Sequence, residues 1–320
     1  MTVVAKIGGA RAVDPAGALA DVASLVADGE RVVVVHGGST AVDDILEELG
    51  ETPEYVETPS GVVGRFTDER TIEVFEMVLP GKLNTDLVAG LQAEGVNAVG
   101  LSGVDGALFS GPRKSVIRVV ESGKKKIRRG DFSGTIEDVN ADLLTTLLDG
   151  GYTPVVTVPM LADGTTPVNA DADRAAAAVA GALDGRLVSL TDVPGVLADP
   201  GDGSTLIGQA STESDLADLE DAASGFMTRK VMAAIEALER GGEEVVVADA
   251  NADNPITAAL DGTGTRVTPG AIGRDETNGA DETDEADETG ENGTGRTDET
   301  AETMENETNE TNESDEAIES

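Results

Sequence analysis

The chain has 320 residues, enough for one large domain or two modest ones around a sizeable core. It has no cysteine, which excludes disulfides and thiolate metal sites. Its single histidine, His36, excludes His-based catalytic triads and most zinc sites. A net charge of −40 excludes non-specific binding to nucleic acid and to an anionic membrane surface, since residues 1–273 alone carry −23.

The elements alternate strand and helix from the start. Strand Val3–Ile7 leads to a helix over 15–28, strand Val32–Val35 to a helix over 40–49, and helices follow at 68–79 and 82–94 before strand Ala98–Leu101. Residues 105–138 are less regular. VIRVV (116–120), a turn at Glu121 to Lys124 and a second strand-like piece predict a β-hairpin insert. A helix over 140–149, strand Pro154–Val158, helix 172–183, strand Leu187–Thr191, helices 213–219 and 225–240 and strand Glu244–Ala248 complete the pattern. Such a βαβα chain predicts a mostly parallel sheet with helices on both faces. The fold is expected to end near Thr265–Thr268, with residues 1–271 as the folded body and 272–320 as a disordered acidic tail. Residues 274–320 hold 19 Asp and Glu against two Arg, in DET and NET repeats with almost no large apolar residue. The tail reads as solubilising, with an interaction tail as the alternative. With few aromatics and many Ala, Val and Gly, the acidic body itself reads as adaptation to a salt-rich cytoplasm. No signal pattern opens the chain and no apolar run approaches 18 residues, so a soluble, cytoplasmic protein is expected.

Candidate chemistry gathers at strand ends. RVVVVHGGST (31–40) is a buried strand running into Gly37-Gly38 and a helix start, where backbone N–H groups can cradle an anion; a tight βα turn is the alternative. Val3 to Gly9 repeats the arrangement with a cation, Lys6, beside Gly8-Gly9. Lysine is scarce here, seven against fifteen arginines, so one beside Gly-Gly is less readily surface decoration. Together the two loops point to phosphate chemistry. Arg65 precedes a helix and suits bidentate capture of a carboxylate, or a surface salt bridge to Asp68 or Glu69. In Asn169-Ala170-Asp171-Ala172-Asp173 either aspartate could cap the following helix. Thr191 to Val196 follows a strand, at the edge where α/β folds bind ligands, and Lys230 lies early in a helix.

KIGG (6–9), VVHGGS (34–39), GRFTDERTIEVFEMV (64–78), GLSGVDG (100–106), NADAD (169–173), TDVPGV (191–196) and MTRKVMAA (227–234) together resemble the amino acid kinase family, over roughly residues 1–270. Within it they look most like N-acetylglutamate kinases. HGGS and RRGDFSGTIEDVN (128–140) look most like the branch acting on glutamate or 2-aminoadipate attached to the acidic amino-group carrier protein LysW. The resemblance implies an αβα sandwich, with an N-terminal substrate lobe (about 1–158) and a C-terminal ATP lobe (about 159–271). It implies transfer of the ATP γ-phosphoryl group to a side-chain carboxylate. Carried over, Lys6 and Lys230 stabilise the transition state and Asp173 orients them. Gly37, Gly38, Arg65 and Asn169 bind the amino-acid moiety; Gly8, Gly9, Thr191, Asp192 and Val196 form the ATP site. Magnesium is expected on the ATP phosphates, with no protein metal cage. Because Lys6 lies so near the start, no helix linking hexamers is expected ahead of it, and the family's homodimer is.

The hairpin carries the partner reading. Eight basic residues lie between Arg113 and Arg129, with Glu121 the one acid. Lys124, Lys125, Lys126, Arg128 and Arg129 are the expected contacts to the acidic carrier, against the alternative of pairing with the chain's own acidic surface. A kinase of free N-acetylglutamate would leave this hairpin idle. A non-catalytic nucleotide- or amino-acid-sensing module is the reading from another class.

Overall fold

The computed structural model describes residues 1–8, 15–59, 61 and 63–274; Gly9 and the tail from 275, with the disorder expected of it, lie outside these. The first βα units are β1 (Thr2–Ile7), α1 (Pro15–Ala27), β2 (Arg31–His36) and α2 (Ser39–Glu48). Two strands too short to leave a periodic signal follow, β3 (Tyr55–Glu57) and β4 (Val63–Arg65). The two helices expected next are one continuous rod: α3 (Glu69–Glu76), a π-helical stretch Met77–Leu83, and α4 (Asn84–Ala93). Pro80-Gly81 reads as a break in the sequence, but the wider π turn accommodates a residue without an N–H. Then come β5 (Ala98–Gly103), β6 (Phe109–Gly111), β7 (Val116–Glu121), β8 (Lys124–Arg129), β9 (Asp138–Val139), α5 (Ala141–Asp149), β10 (Thr153–Ala162) and β11 (Thr166–Val168). The C-terminal part holds α6 (Ala172–Ala182), β12 (Arg186–Thr191), β13 (Gln209–Ala210), α7 (Glu213–Ala222), α8 (Phe226–Glu239), β14 (Glu244–Asp249), α9 (Pro255–Leu260) and β15 (Thr265–Val267).

The main sheet runs β13-β15-β14-β12-β1-β2-β10-β6-β9, with β5 and β11 also on β10. Its central pairs, β14/β12, β12/β1, β1/β2 and β2/β10, are all parallel. Helices cover both faces, which is why Val32–Val35 is apolar without alternation: Val33 and Val35 enter one core, Val32 and Val34 the other. The expected three-layer α/β architecture is therefore observed.

The expected hairpin forms as β7-β8, and three details differ. The hairpin is not the whole of 105–138: Phe109–Gly111 and Asp138–Val139 return to the main sheet, and β7-β8 joins β3 and β4 in a second, antiparallel sheet ordered β4-β3-β7-β8. Its packed face rests on Val56, Phe66 and Val119. Second, the fold does not end at Thr268 or at 271. A 3-10 turn spans Pro269–Ile272, and Arg274 donates to the carbonyls of Leu238 and Gly242, the latter at 2.8 Å, anchoring the body through 274. Third, α9 was not expected, being six residues long. It is capped from afar: buried Asp21 of α1 accepts from the N–H groups of Ile256 (2.6 Å) and Thr257 (2.9 Å).

Candidate active site

β1 and α6 build the centre of the site. Alternation on β1 turns Lys6 to the same face as Val4, under α6 and α8. Helix α6 can sit this close because Ala175–Gly181 are all buried and small; a Cβ on Gly181 would come within 2.3 Å of the Arg240 Cβ at the end of α8. Asp171 takes the capping role at the head of α6, accepting from the N–H groups of Asp173 (2.8 Å) and Arg174 (3.3 Å). That leaves the Asp173 carboxylate for the interior. It receives the Lys6 ammonium at 2.6 Å and the Lys230 ammonium, from α8, at 3.2 Å, both on Oδ1.

The electrostatics follow from burial. Burial opposes ionisation of Asp173, but the two ammonium groups outweigh it and hold its carboxyl well below the usual carboxylate range. Burial alone would discharge Lys6; the Asp173 charge beside it overcomes this and raises its pKa. Lys230 is lowered, by burial first and then by the Lys6 charge. Two cations thus share one anion, leaving an excess positive charge facing the cavity.

That cavity is an open cleft lined by Thr191, Asp192, Leu197, Phe226, Met227 and Lys230, at the carboxyl end of β12 and the start of α8. It lies where α/β folds bind ligands, at the carboxyl ends of the strands, and Lys230 at its wall joins it to the Lys6–Asp173 pair. Of the expected ATP residues, Thr191 and Asp192 line it. Val196 does not: its side chain is in the core and its N–H donates to Thr265 Oγ1 at 2.8 Å. Gly8 ends β1, where a Cβ would approach the Leu190 carbonyl at 3.2 Å. Phe226, at the cleft mouth and 78 % exposed, was missed, because a lone aromatic at a helix start carries no pattern.

On the other side of β1 in the sheet, Gly37 and Gly38 join β2 to α2. A Cβ on Gly38 would come within 2.2 Å of Leu83 and 2.8 Å of Leu79, so the π-helical rod packs closely over this glycine and a side chain there would displace both leucine tips. Arg65, on β4, lies beside this loop, with its side chain 5 % exposed. Its ion pair is with Asp43 of α2 at 2.5 Å, not with Asp68 or Glu69; it also donates to Tyr55 Oη (2.8 Å) and the Ser39 carbonyl (3.2 Å). Asp68 instead caps α3. Asn169 donates through Nδ2 to Thr67 Oγ1 at 3.2 Å, within the same cluster of loops.

His36 is buried and takes no part in proton transfer. The Gly37 carbonyl (2.9 Å) makes Nδ1 the donor, and Nε2 accepts from Asn84 Nδ2 (3.1 Å). Burial drives its pKa down to about 4. Because the folded pKa lies below the unfolded value, this neutral ring contributes stability above about pH 6.5 that is lost as pH falls toward about 4. The loss is up to about 3 kcal/mol. Denaturant unfolding from about pH 7 to 4 should show that extra slope in the wild type and not in His36→Asn; identical slopes would defeat the assignment.

The basic hairpin is divided by strand parity. Arg128 is held bidentately by Glu54 (2.7 and 2.9 Å) and lies 4.4 Å over the Phe66 ring; Lys126 pairs with Glu121 at 2.6 Å. On the opposite face Lys125 and Arg129 flank Ile127, which is 64 % exposed and registers with Arg118 of β7. Lys124, Lys125, Arg129 and Arg118 make no ion pair among the described residues. Of the five expected contacts, Lys126 and Arg128 are committed internally, Lys125 and Arg129 stand on the open face, and Lys124, on the side of Lys126 at the turn end of β8, is unpaired among the described residues.

A doubly covered parallel sheet with a Lys–Asp–Lys cluster at the wall of a strand-end cleft is the framework of a phosphotransferase. The chain belongs to the amino acid kinase family, whose match spans residues 1–249. It is 44 % identical over 271 residues to the [LysW]-aminoadipate kinase of Thermus thermophilus, covering 83 % of this chain and 99 % of that one. It is 42 % identical over 238 residues to the acetylglutamate kinase of Methanopyrus kandleri, covering 73 % and 90 %. Among solved structures, the N-acetylglutamate synthase of Neisseria gonorrhoeae with coenzyme A and N-acetyl-glutamate aligns with a TM-score of 0.67 at 25 % identity, over 83 % of this chain and 59 % of that one. The carbamate kinase of Giardia lamblia bound to AMP-PNP aligns at 0.59 and 18 % identity, over 83 % and 98 %, and shares the fold. The chain is an ATP-dependent kinase of this family.

Proposed function

We propose that this kinase phosphorylates the side-chain carboxylate of 2-aminoadipate or glutamate carried on LysW, giving an acyl phosphate. The observation that carries the chemistry is the pair of largely shielded ammonium groups on one carboxylate at the wall of the cleft. A carboxylate acceptor has a pKa of about 4.3 and is already ionised, so no general base is needed. One acceptor oxygen attacks the γ-phosphorus while the bond to the ADP oxygen breaks. Lys6 and Lys230 neutralise charge on the equatorial oxygens, and Asp173 keeps both in position. Magnesium would travel with the nucleotide phosphates; among the described residues no group of three His, Cys, Asp or Glu is placed to hold a metal. Gly37, Gly38, Arg65 and Asn169 would receive the amino-acid moiety, and Gly8, Thr191 and Asp192 the nucleotide. Asn169 and the segment that follows Arg65 at the end of β4 are joined through Thr67, which supports this grouping.

Arg65→Lys keeps the charge but loses the planar fork that reaches Asp43, Tyr55 and Ser39 at once. It should raise the acceptor KM about tenfold or more and leave the ATP KM nearly unchanged in steady-state kinetics. An equal rise for ATP would move Arg65 to the nucleotide site.

The carrier reading rests on the available face of the hairpin, cationic in an otherwise acidic body. At molar salt the Debye length is about 3 Å, so docking there must use direct ion pairs and the apolar Ile127. Neutralising Lys124, Lys125 and Arg129 should raise KM for carrier-bound acceptor about fivefold or more without changing ATP affinity. Neutralising Arg128 should instead loosen the second sheet, since it is tied to Glu54 and Phe66. The identity to an acetylglutamate kinase favours free N-acetylglutamate as the second reading. Acyl-hydroxamate assays with ATP and each acceptor, free and carrier-bound, separate the two. Preference for the free acceptor, or no effect of the three substitutions, would reject the carrier. A homodimer belongs to the same reading, as do a cytoplasmic setting and salt adaptation of the acidic body. Light scattering tests the dimer.

A further inference from the structure

A single buried carboxylate, Asp131, ties the base of the basic hairpin to the segments bearing Arg65 and Asn169. Asp131 follows β8 by two residues, after the turn at Gly130, and is 1 % exposed. Its Oδ1 accepts from the Thr67 N–H at 3.0 Å and its Oδ2 from the Ser133 hydroxyl. Its backbone carbonyl accepts from Arg113 Nε at 2.8 Å, and the Arg113 guanidinium lies 3.6 Å over the Phe132 ring. The neighbouring backbone repeats the connection: Phe132 N–H donates to the Thr67 carbonyl (2.6 Å), Asn169 N–H to the Phe132 carbonyl (2.7 Å), and Gly134 N–H to the Asn169 carbonyl (2.8 Å). The Thr67 hydroxyl, fully buried, closes the knot by accepting from Asn169 Nδ2.

A buried carboxylate with two donors on its oxygens is costly to install and strongly directional. A plain turn between a hairpin and a strand needs no such group. Here both donors belong to segments that end on the proposed acceptor site: Thr67 is two residues from Arg65, and Ser133 pairs with Asn169 as an isolated bridge. We propose that Asp131 is a positioning residue that sets Arg65 and Asn169 relative to one another and couples the hairpin to them. The inference rests on the acceptor-site reading of those two residues. It adds that the hairpin and the site behave as one mechanical unit, so whatever the hairpin binds acts on acceptor alignment.

The test is kinetic. Asp131→Asn keeps the Thr67 bond through Oδ1 but presents a donor to Ser133, and Asp131→Ala removes both bonds. The acceptor KM should rise about tenfold in Asp131→Ala and less in Asp131→Asn, with ATP KM within twofold of wild type. In combination with Asn169→Ala, Asp131→Ala should add little, because both act on the same geometry. Full additivity, or an equal rise in KM for ATP and acceptor, would overturn the proposal. Carrier-bound and free acceptors are both assayed, so a failure of the carrier reading leaves the effect measurable on the free one. If neither is turned over, the kinase assignment fails instead, and hydrogen exchange decides the positioning role. Faster exchange in Asp131→Asn confined to residues 65–68, 131–134 and 169 supports it; unchanged or uniformly faster exchange refutes it.

Discussion

Lys6→Ala and Lys230→Ala are each expected to lower kcat by roughly 100-fold or more while changing either KM by less than about threefold. The structure explains why the loss should fall on kcat. The Lys6 and Lys230 side chains are only 7 % and 10 % exposed and already partnered by Asp173 in the resting chain, so neither is an exposed hook for collecting substrate. Their excess positive charge is matched only when negative charge builds on the transferring phosphoryl group. Either single variant leaves Asp173 one cation, so the fold should survive, and near-wild-type circular dichroism is part of the expectation. The two differ in degree. Lys6, whose charge Asp173 secures, has no substitute on β1, whereas Lys230 forms part of the cleft wall and should also weaken ATP modestly. Wild-type kcat in either variant would remove the Lys–Asp–Lys cluster from the mechanism.

Asp173→Asn is expected to cost as much activity at neutral pH and to show a pH signature that the lysine variants lack. With the anion gone, burial and mutual repulsion push both lysine pKa values down, opposed at Lys6 only by the weaker charge of Asp171. Lysines that lose protons in the resting site cannot neutralise phosphoryl charge. The ratio of variant to wild-type kcat should therefore rise as pH falls from about 9 to 6, as the lysines regain their protons. Stability must move the other way. A lysine whose folded pKa lies below its unfolded value binds fewer protons when folded, so the variant's stability falls as pH falls through that range. Activity gained and stability lost on acidification, measured by steady-state kinetics and denaturant unfolding on one preparation, identify Asp173 as the group holding both charges. A kcat ratio independent of pH would contradict it.

Legibility followed the range of the signal. Thr2–Ile7, Arg31–His36, Arg186–Thr191 and Glu244–Asp249 were readable as strands because a sheet covered on both faces writes continuous valine-rich runs into the chain. Helices α6 and α8 were readable from periodicity and an aspartate near the start of α6. Lys6, Asp173 and Lys230 were each visible beside a glycine loop, a helix start or a family motif. Elements of two or three residues, such as β4 and β13, left nothing to read, since pairing with distant strands rather than local pattern makes them strands.

By itself the sequence determined the layered α/β class, the absence of histidine acid–base chemistry, and the three residues on which phosphoryl transfer is proposed to turn. Burial and charge are written locally, in composition and period. Only the tertiary structure decided which aspartate caps α6 and which meets the lysines, because the two-residue step from one to the other, about 200° around the helix, leaves Asp171 on the backbone N–H groups and turns Asp173 inward. It also placed Val196 in the core, gave Arg65 to Asp43, and divided the hairpin between internal ion pairs and an available face. Each of these depends on what the rest of the chain brings within about 3 Å of a side chain, the reach of a hydrogen bond, and no local pattern encodes that.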